Sequence, residues 1–214
     1  MPVAPIQVAT GMLTRARAIL GLRQHVPTGT PDLKTVQMDL ARLALILGVA
    51  GLDAYLHRLV LSRIAGQSIS NPLPKELRKL SVTLGDLATL GHDMVQARTA
   101  AKPKATKPMT RVRNVMHRVL GTETFQSPHQ VVRALGLCGK QKPWTSVGRA
   151  LGVPPNEIMD RLSQIVKRRN QIVHEGDYAR LVRPQNLRRN KMRSADVAAD
   201  LDWLENLIKQ IDAL

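Results

Sequence analysis

The residue types best suited to chemistry lie together near position 170. Arg169, Asn170 and His174 fall within six residues, in the sequence RRNQIVHEGD. An imidazole exchanges protons near neutral pH, and a guanidinium is always charged. RNA cleavage without a metal needs a base for the 2′-hydroxyl, an acid for the leaving oxygen and a cation for the phosphorane. The residues therefore indicate acid–base chemistry on a phosphodiester.

These three residues lie on a predicted helix from about Pro155 to Glu175, ended by Gly176. At 100° per residue the apolar positions form one arc, with Arg169 in its middle and Arg168 on a flank. An arginine there must be paired, or must line an interface or cleft, because burying it unpaired is prohibitive. Asn170 and His174 share the adjoining flank, and the helix dipole favours a protonated His174. The alternative is that a core carboxylate holds Arg169 and that His174 is only a helix cap.

The rest of the chain is also patterned as helix, which predicts an all-α fold. Apolar residues recur at three- and four-residue steps in 32–66, 75–98 and 155–175. Ser127 and Pro128 predict the start of a short helix at 131–137. The last helix carries one apolar stripe, and Ser194 is its predicted cap. No run of alternating residues predicts a strand.

The length of 214 residues suits a single helical domain. Residues 1–31 form a predicted N-terminal helical extension, and 99–109 a basic linker rich in Lys and Pro. The apolar stretch 43–52 is too short to span a bilayer and predicts a buried helix. We expect a cytoplasmic protein; the alternative is an organelle transit peptide, since residues 1–31 contain three arginines and no acid.

The charge of the chain favours a polyanionic partner. Lys and Arg number 32 against 16 Asp and Glu, for a net charge of +16. Residues 94–156 contain eleven basic residues and one acid, and 178–195 contain six and none. Nucleic acid is the first candidate; an anionic membrane surface and a merely solvated basic face are the alternatives. Five aromatic residues are too few for a base-stacking platform, so contacts with phosphate should dominate.

Two further observations limit the chemistry and locate the basic surface. The single Cys138 excludes an internal disulfide, a cysteine zinc ribbon and an iron–sulfur cluster. The residues predicted to hold phosphate are Arg98, Lys102, Lys104, Lys107, Arg111, Arg113, Arg168, Arg180, Arg183, Arg188 and Arg189.

Arg169-Asn170-Gln171-Ile172-Val173-His174 resembles the R-N-x-x-x-H signature of HEPN-domain proteins, and its flanking sequence resembles the RiboL-PSP-HEPN branch associated with defence. The early segment GLDAYLHRLV and the final SADVAADLDWLENLIKQID occur in the order typical of that branch. The resemblance extends from about Leu33 onward, although only the six-residue motif is specific. It implies an all-α HEPN-like bundle acting as a metal-independent endoribonuclease, without cofactor, in toxin–antitoxin or phage-defence systems.

The resemblance also assigns roles. It implies that Arg169 and His174 are the catalytic pair, and that Asn170 orients the imidazole or the phosphate. It implies a homodimer with one composite cleft, and an antitoxin or defence partner. Asp53 and Glu175 would support the site, Asp53 by holding Arg169 or by supporting the cleft. For Asp53 a simple intrahelical pair with His57 is the alternative, and metal binding by those two residues lacks a third ligand.

The sequence departs from the HEPN pattern at one position, and two other functions are alternatives. HEPN proteins controlled by a nucleotidyltransferase often carry a Tyr two residues after the His, whereas Tyr178 lies four after it, so control through this Tyr is doubtful. The main rival is a non-catalytic HEPN-like module that binds RNA or a partner protein. The other is a DNA-binding helix-turn-helix with its turn at Leu151 and Gly152, although Pro154 and Pro155 make an awkward start for a recognition helix.

Overall fold

A computed structural model describes residues 3–27, 29–66, 73–99, 108–179 and 188–214. Over these residues the regular structure is helical apart from one isolated antiparallel bridge between Tyr178 and Arg189. The prediction of an all-α fold is therefore confirmed. The helices are α1 (Pro5–Leu22), α2 (Pro31–Gly66), α3 (Lys75–Arg78), α4 (Leu84–Thr99), α5 (Pro108–Leu120), α6 (Pro128–Leu137), α7 (Pro143–Leu151), α8 (Pro155–Glu175) and α9 (Ser194–Asp212).

Proline marks the start of six of the described helices. A proline in the first helical position has its φ already set, and the N–H that it lacks has no partner inside the helix. At α6 the predicted cap is confirmed: Ser127 accepts a hydrogen bond from the Gln130 amide, and the Gln130 side chain accepts one from the Ser127 amide. These local signals explain why several boundaries follow from the sequence.

The 36-residue helix α2 forms the centre of the molecule. It packs against α1, α5, α6, α8 and α9, and Leu45, Val49, Leu52 and Leu56 are buried along it. By length and composition α2 could cross a membrane, since its most apolar window has a mean hydropathy of 1.5. More than half of that window is buried inside the protein, and this central position accounts for its apolar composition.

The N-terminal segment, predicted as a helical extension, forms α1 and contributes to the core. Ala9, Leu13 and Ala16 are buried against α2 and α9. Arg17 makes ion pairs of 2.6 Å with both Asp202 and Glu205 of α9. The segment is therefore packed into the bundle along most of its length.

Three boundaries differ from the sequence predictions. The single helix expected at 75–98 is two helices, α3 and α4, because the Thr83 hydroxyl accepts from the Asp86 amide and starts a new helix. The prediction that Ser194 caps α9 is wrong. Ser194 is the first residue of α9, and its hydroxyl accepts a hydrogen bond from the Arg23 side chain. Most of the predicted linker 99–109 lies outside the described residues, and its ends belong to α4 and α5.

The turn from α7 into α8 depends on close backbone approach at Gly148. A Cβ there would lie 2.7 Å from the Val153 carbonyl oxygen, whereas a Cβ at Gly11 in α1 would meet nothing within 4 Å. We expect Gly148→Ala to lower the free energy of unfolding by about 1–3 kcal/mol through overpacking. Gly11→Ala should raise it by about 0.5–1 kcal/mol. Urea denaturation of both variants measures the difference; equal stabilities would contradict the close approach.

Candidate active site on helix α8

Helix α8 has the predicted bounds, and its C-terminal end extends beyond the core. It begins at Pro155 and ends at Gly176, whose φ of 62° is the left-handed conformation that glycine adopts readily. Ile158, Leu162 and Ile165 are buried. Val173 lies in the same apolar arc but is 44% exposed. The last two turns of α8 therefore leave part of the apolar arc uncovered, and they carry the candidate catalytic residues.

Arg169 is half-buried without a carboxylate partner among the described residues. Its Nη1 donates a hydrogen bond to Asn170 Oδ1 at 3.0 Å. Its Nε is buried and, within the described parts of the chain, has no hydrogen-bond partner. An unsatisfied buried donor costs about 1–3 kcal/mol. The observed contacts thus disfavour the alternative in which a core carboxylate holds this arginine.

Asn170 turns the Arg169 guanidinium towards the flank that carries His174. At 100° per residue, His174 lies about 140° around the helix from Arg169 and about 7.5 Å along it. Asn170 lies about 100° from Arg169 on the same side as His174. The hydrogen bond between Arg169 and Asn170 therefore directs the cation out of the apolar arc. The observed contact of Asn170 is with Arg169, and the expectation that Asn170 orients the imidazole or the phosphate stays a prediction.

His174 is exposed in the last turn of α8, next to a small surface depression. The depression has a volume of about 300 Å³. Its lining residues are Ser127, Pro128, Ser163, Val166, Lys167, Asn170, Gln171 and Glu175. Asn170 and Glu175 thus border one cavity, while His174 stands in solvent where it can reach a ligand.

A buried ionic network holds the chain immediately after α8. Asp177 is fully buried with a φ of 61°, and its carboxylate accepts from Arg42 Nε at 2.6 Å. Arg168 pairs with the same carboxylate at 2.5 Å, and Asn190 Nδ2 donates to it at 3.1 Å. Arg42 also donates to the Asn190 carbonyl at 2.8 Å and pairs with Asp39 at 3.0 Å. This network joins α2, the end of α8 and the segment that precedes α9.

Sequence reasoning missed Arg42, Asp177 and Asn190. One signal was present: Arg42 lies between the apolar residues of a core helix, so it requires a carboxylate partner. The sequence could not identify that partner, because Asp177 is 135 residues away. The network also holds the side chain of Arg168, the residue before the motif, against Asp177.

Asp53 does not hold Arg169. Its Oδ1 accepts from the Phe125 amide at 2.5 Å, which secures the turn between α5 and α6. His57 Nδ1 lies 3.6 Å from the same carboxylate oxygen and 3.0 Å from the Asp53 carbonyl. The intrahelical contact offered as the alternative is therefore present, and the proposed support of Arg169 is a wrong prediction. The reason is that Asp53 faces α5 and α6, not the end of α8.

The predicted phosphate-binding residues fall into three groups. Arg168 and Arg189 are engaged, Arg168 with Asp177 and Arg189 with Asp39 at 2.9 Å. Arg113 and Arg188 are exposed, and Arg98 and Arg111 lie in α4 and α5. Lys102, Lys104, Lys107, Arg180 and Arg183 lie outside the described residues.

Two other kinds of site, a metal site and a nucleophilic thiol, were sought among the described residues. No group of three or more His, Cys, Asp or Glu side chains there could hold a metal ion. Burial raises the pKa of the Cys138 thiol to about 11, so the thiol stays protonated at neutral pH. It is therefore a poor nucleophile.

Comparison with protein-family models, curated proteins and solved structures gives no match.

Proposed function

We propose that this protein is a metal-independent endoribonuclease of the HEPN type, acting from the C-terminal end of α8. The observation that carries the proposal is Arg169, a half-buried cation without a carboxylate partner in the described residues, turned by Asn170 towards an exposed His174. A structural arginine would be expected to satisfy its charge inside the protein. Among the described residues the Arg169 charge has no carboxylate partner, so an external anion can pair with it, and a phosphodiester is the anion to which the acid–base group is suited.

The reaction follows from the groups present. His174 takes the proton of a ribose 2′-hydroxyl, and the oxygen attacks the adjacent phosphorus. The Arg169 guanidinium stabilises the negative charge that develops on the phosphorane oxygens. The bond to the 5′-oxygen breaks, and that oxygen receives a proton from an imidazolium. The products are a 2′,3′-cyclic phosphate end and a 5′-hydroxyl end.

A second copy of the chain would complete the site. On α2, Val36, Leu40, Leu43 and Leu47 share one face, and Val36 and Leu43 are exposed. This face lies about 130° around α2 from the buried Arg42, on the side of the helix that points away from the core. Together with exposed Val173 it offers apolar surface that a second copy would cover. In a homodimer two Arg169–His174 pairs would face one cleft and could supply the base and the acid separately.

The wider role follows the resemblance. RNA held by the basic residues is the proposed substrate, and the proposed setting is a cytoplasmic toxin or phage-defence effector with an antitoxin or defence partner. The rival is a non-catalytic HEPN-like module that binds RNA or a protein; it predicts binding with a steep salt dependence and no cleavage. A helix-turn-helix at α7 and α8 is disfavoured because Glu157 and Asp160 are exposed in the first turns of α8, where DNA phosphates would approach.

We expect the purified protein to cleave total RNA in the presence of EDTA. Because the attacking group is the neighbouring hydroxyl, the upstream products should carry 2′,3′-cyclic phosphate or its hydrolysis product, and the downstream products a 5′-hydroxyl. Phosphatase and kinase treatment before sequencing of the ends distinguishes these termini. Cleavage abolished by EDTA, or products with 5′-phosphate, would refute the mechanism, and RNA binding without cleavage would favour the non-catalytic module.

A further inference from the structure

A cavity lined by two arginines lies on the C-terminal half of α2, away from the candidate active site. It has a volume of about 660 Å³ between the start of α1, one face of α2 and the end of α5. Its lining residues are Val3, Ala4, Pro5, Ala54, His57, Arg58, Leu61, Ser62, Arg113, His117, Leu120 and Gly121. His57 is 15 residues after Arg42, which places the cavity about 22 Å along the helix from the buried network. It is therefore a separate place on the molecule.

The polar side chains that line this cavity come from two helices, α2 and α5. Arg58 and Ser62 are one turn apart on α2, and Arg113 and His117 are one turn apart on α5. Neither Arg58 nor Arg113 has an ion pair or a side-chain hydrogen bond among the residues that the structure describes, and both are exposed. Elsewhere Arg17, Arg118 and Arg133 each contact a carboxylate. The guanidinium groups of Arg58 and Arg113 thus line the cavity without a carboxylate partner among the described residues.

Two further features favour an anion in the same cavity. No carboxylate is among its lining residues, and the N-terminus of the 18-residue helix α1 opens onto it at Pro5, with no acid in the first turn. A helix N-terminus carries partial positive charge. His57 is already engaged: its ring nitrogens lie 3.0 Å from the Asp53 carbonyl and 3.1 Å from the Leu120 carbonyl. It forms part of the wall, and Arg58, Arg113 and His117 are left to bind a ligand.

We propose that this cavity binds the phosphate group of a nucleotide. Arg58 and Arg113 would contact the phosphate oxygens with charge-assisted hydrogen bonds, and His117 would add a third donor. The accessible apolar residues Val3 and Ala54 provide a surface for the sugar or base. The volume of the cavity is ample for one nucleotide. The phosphate can belong to a free nucleotide or to a nucleotide within an RNA strand.

The test uses three probes: inorganic phosphate, UMP and 2′-O-methyl hexauridylate, which lacks the attacking hydroxyl. We expect UMP or the oligonucleotide to shift the NMR signals of the His117 ring in the full-length protein. Calorimetry should show that Arg58→Ala with Arg113→Ala weakens this binding by about tenfold or more. Arg15→Ala with Arg149→Ala removes the same charge from exposed positions elsewhere and should change the affinity by less than about twofold.

The pattern of NMR shifts across the three probes identifies the source of the phosphate. Shifts with UMP alone indicate a free nucleotide, and shifts with the oligonucleotide alone indicate a strand; both support a nucleotide phosphate. Equal weakening by the two double variants, an unmoved His117 signal, or UMP that binds no tighter than inorganic phosphate would overturn it. The His174→Ala variant should bind the probes in this cavity as the wild type does, so failure of the ribonuclease proposal and failure of this one are distinguishable.

Discussion

Replacing His174 with alanine is expected to lower the rate of RNA cleavage about 10²- to 10⁴-fold, the usual contribution of a positioned acid or base. His174 is exposed, so the substitution should leave the fold and its unfolding free energy almost unchanged. The matched control is His129→Ala, an exposed histidine in the first turn of α6. The measurement is the initial rate on a labelled RNA in EDTA. Equal rates for wild type and His174→Ala would remove His174 from the mechanism.

Arg169 provides a sharper form of the same test. Arg169→Met keeps an unbranched apolar stem but removes the guanidinium, with its charge and the unsatisfied Nε. We expect cleavage to fall about 10²- to 10³-fold, as for other groups that stabilise transition-state charge. The unfolding free energy should be unchanged or higher, because a buried donor without a partner costs about 1–3 kcal/mol. A loss of activity that accompanies a loss of stability would instead indicate a structural arginine.

Asp177→Ala is expected to reduce the free energy of unfolding by about 3–5 kcal/mol, because it removes the buried carboxylate from Arg42 and leaves that cation only the partly exposed Asp39 among the described carboxylates. Asp177 is fully buried, and Arg42, whose Nε contacts it, is also buried. Arg168 and Asn190 lose their contacts with the carboxylate in the same variant. Since a domain of ordinary stability has about 5–15 kcal/mol in total, a large fraction should be lost. Urea denaturation measures the change.

Two comparisons separate the buried charge from a general effect of removing an acid. Asp202 makes a 2.6 Å ion pair with Arg17 but is 70% exposed, so Asp202→Ala should cost less than about 1 kcal/mol. Replacing both buried partners, Asp177→Asn with Arg42→Met, should recover part of the lost stability because the buried Arg42 charge is removed together with its buried partner. Asn also tolerates the positive φ at this position. Similar losses for Asp177→Ala and Asp202→Ala would contradict a central role for the network.

The sequence by itself determined the fold class, the bounds of α8 and the residues of the motif. Each of these depends on local features: a 3.6-residue apolar period, a proline at the start of a helix, and a glycine that can adopt a positive φ. The same local pattern placed Arg169 in the apolar arc and predicted that it needed a chemical explanation. It failed at 79–83 and at Ser194, where the Thr83 and Ser194 hydroxyls accept hydrogen bonds that the local pattern does not show.

Only the tertiary structure decided which charges are neutralised. Asp177 pairs with Arg42 across 135 residues, Asp53 binds the Phe125 amide across 72, and Arg58 and Arg113 line one cavity without a described partner. Such pairings depend on how the helices pack, which local periodicity does not encode. The arginines of the described residues therefore divide into those that pair with a carboxylate, such as Arg42, and those without such a pair, such as Arg58 and Arg113. Packing makes that distinction because a charge is costly to bury unless a partner lies within a few ångströms.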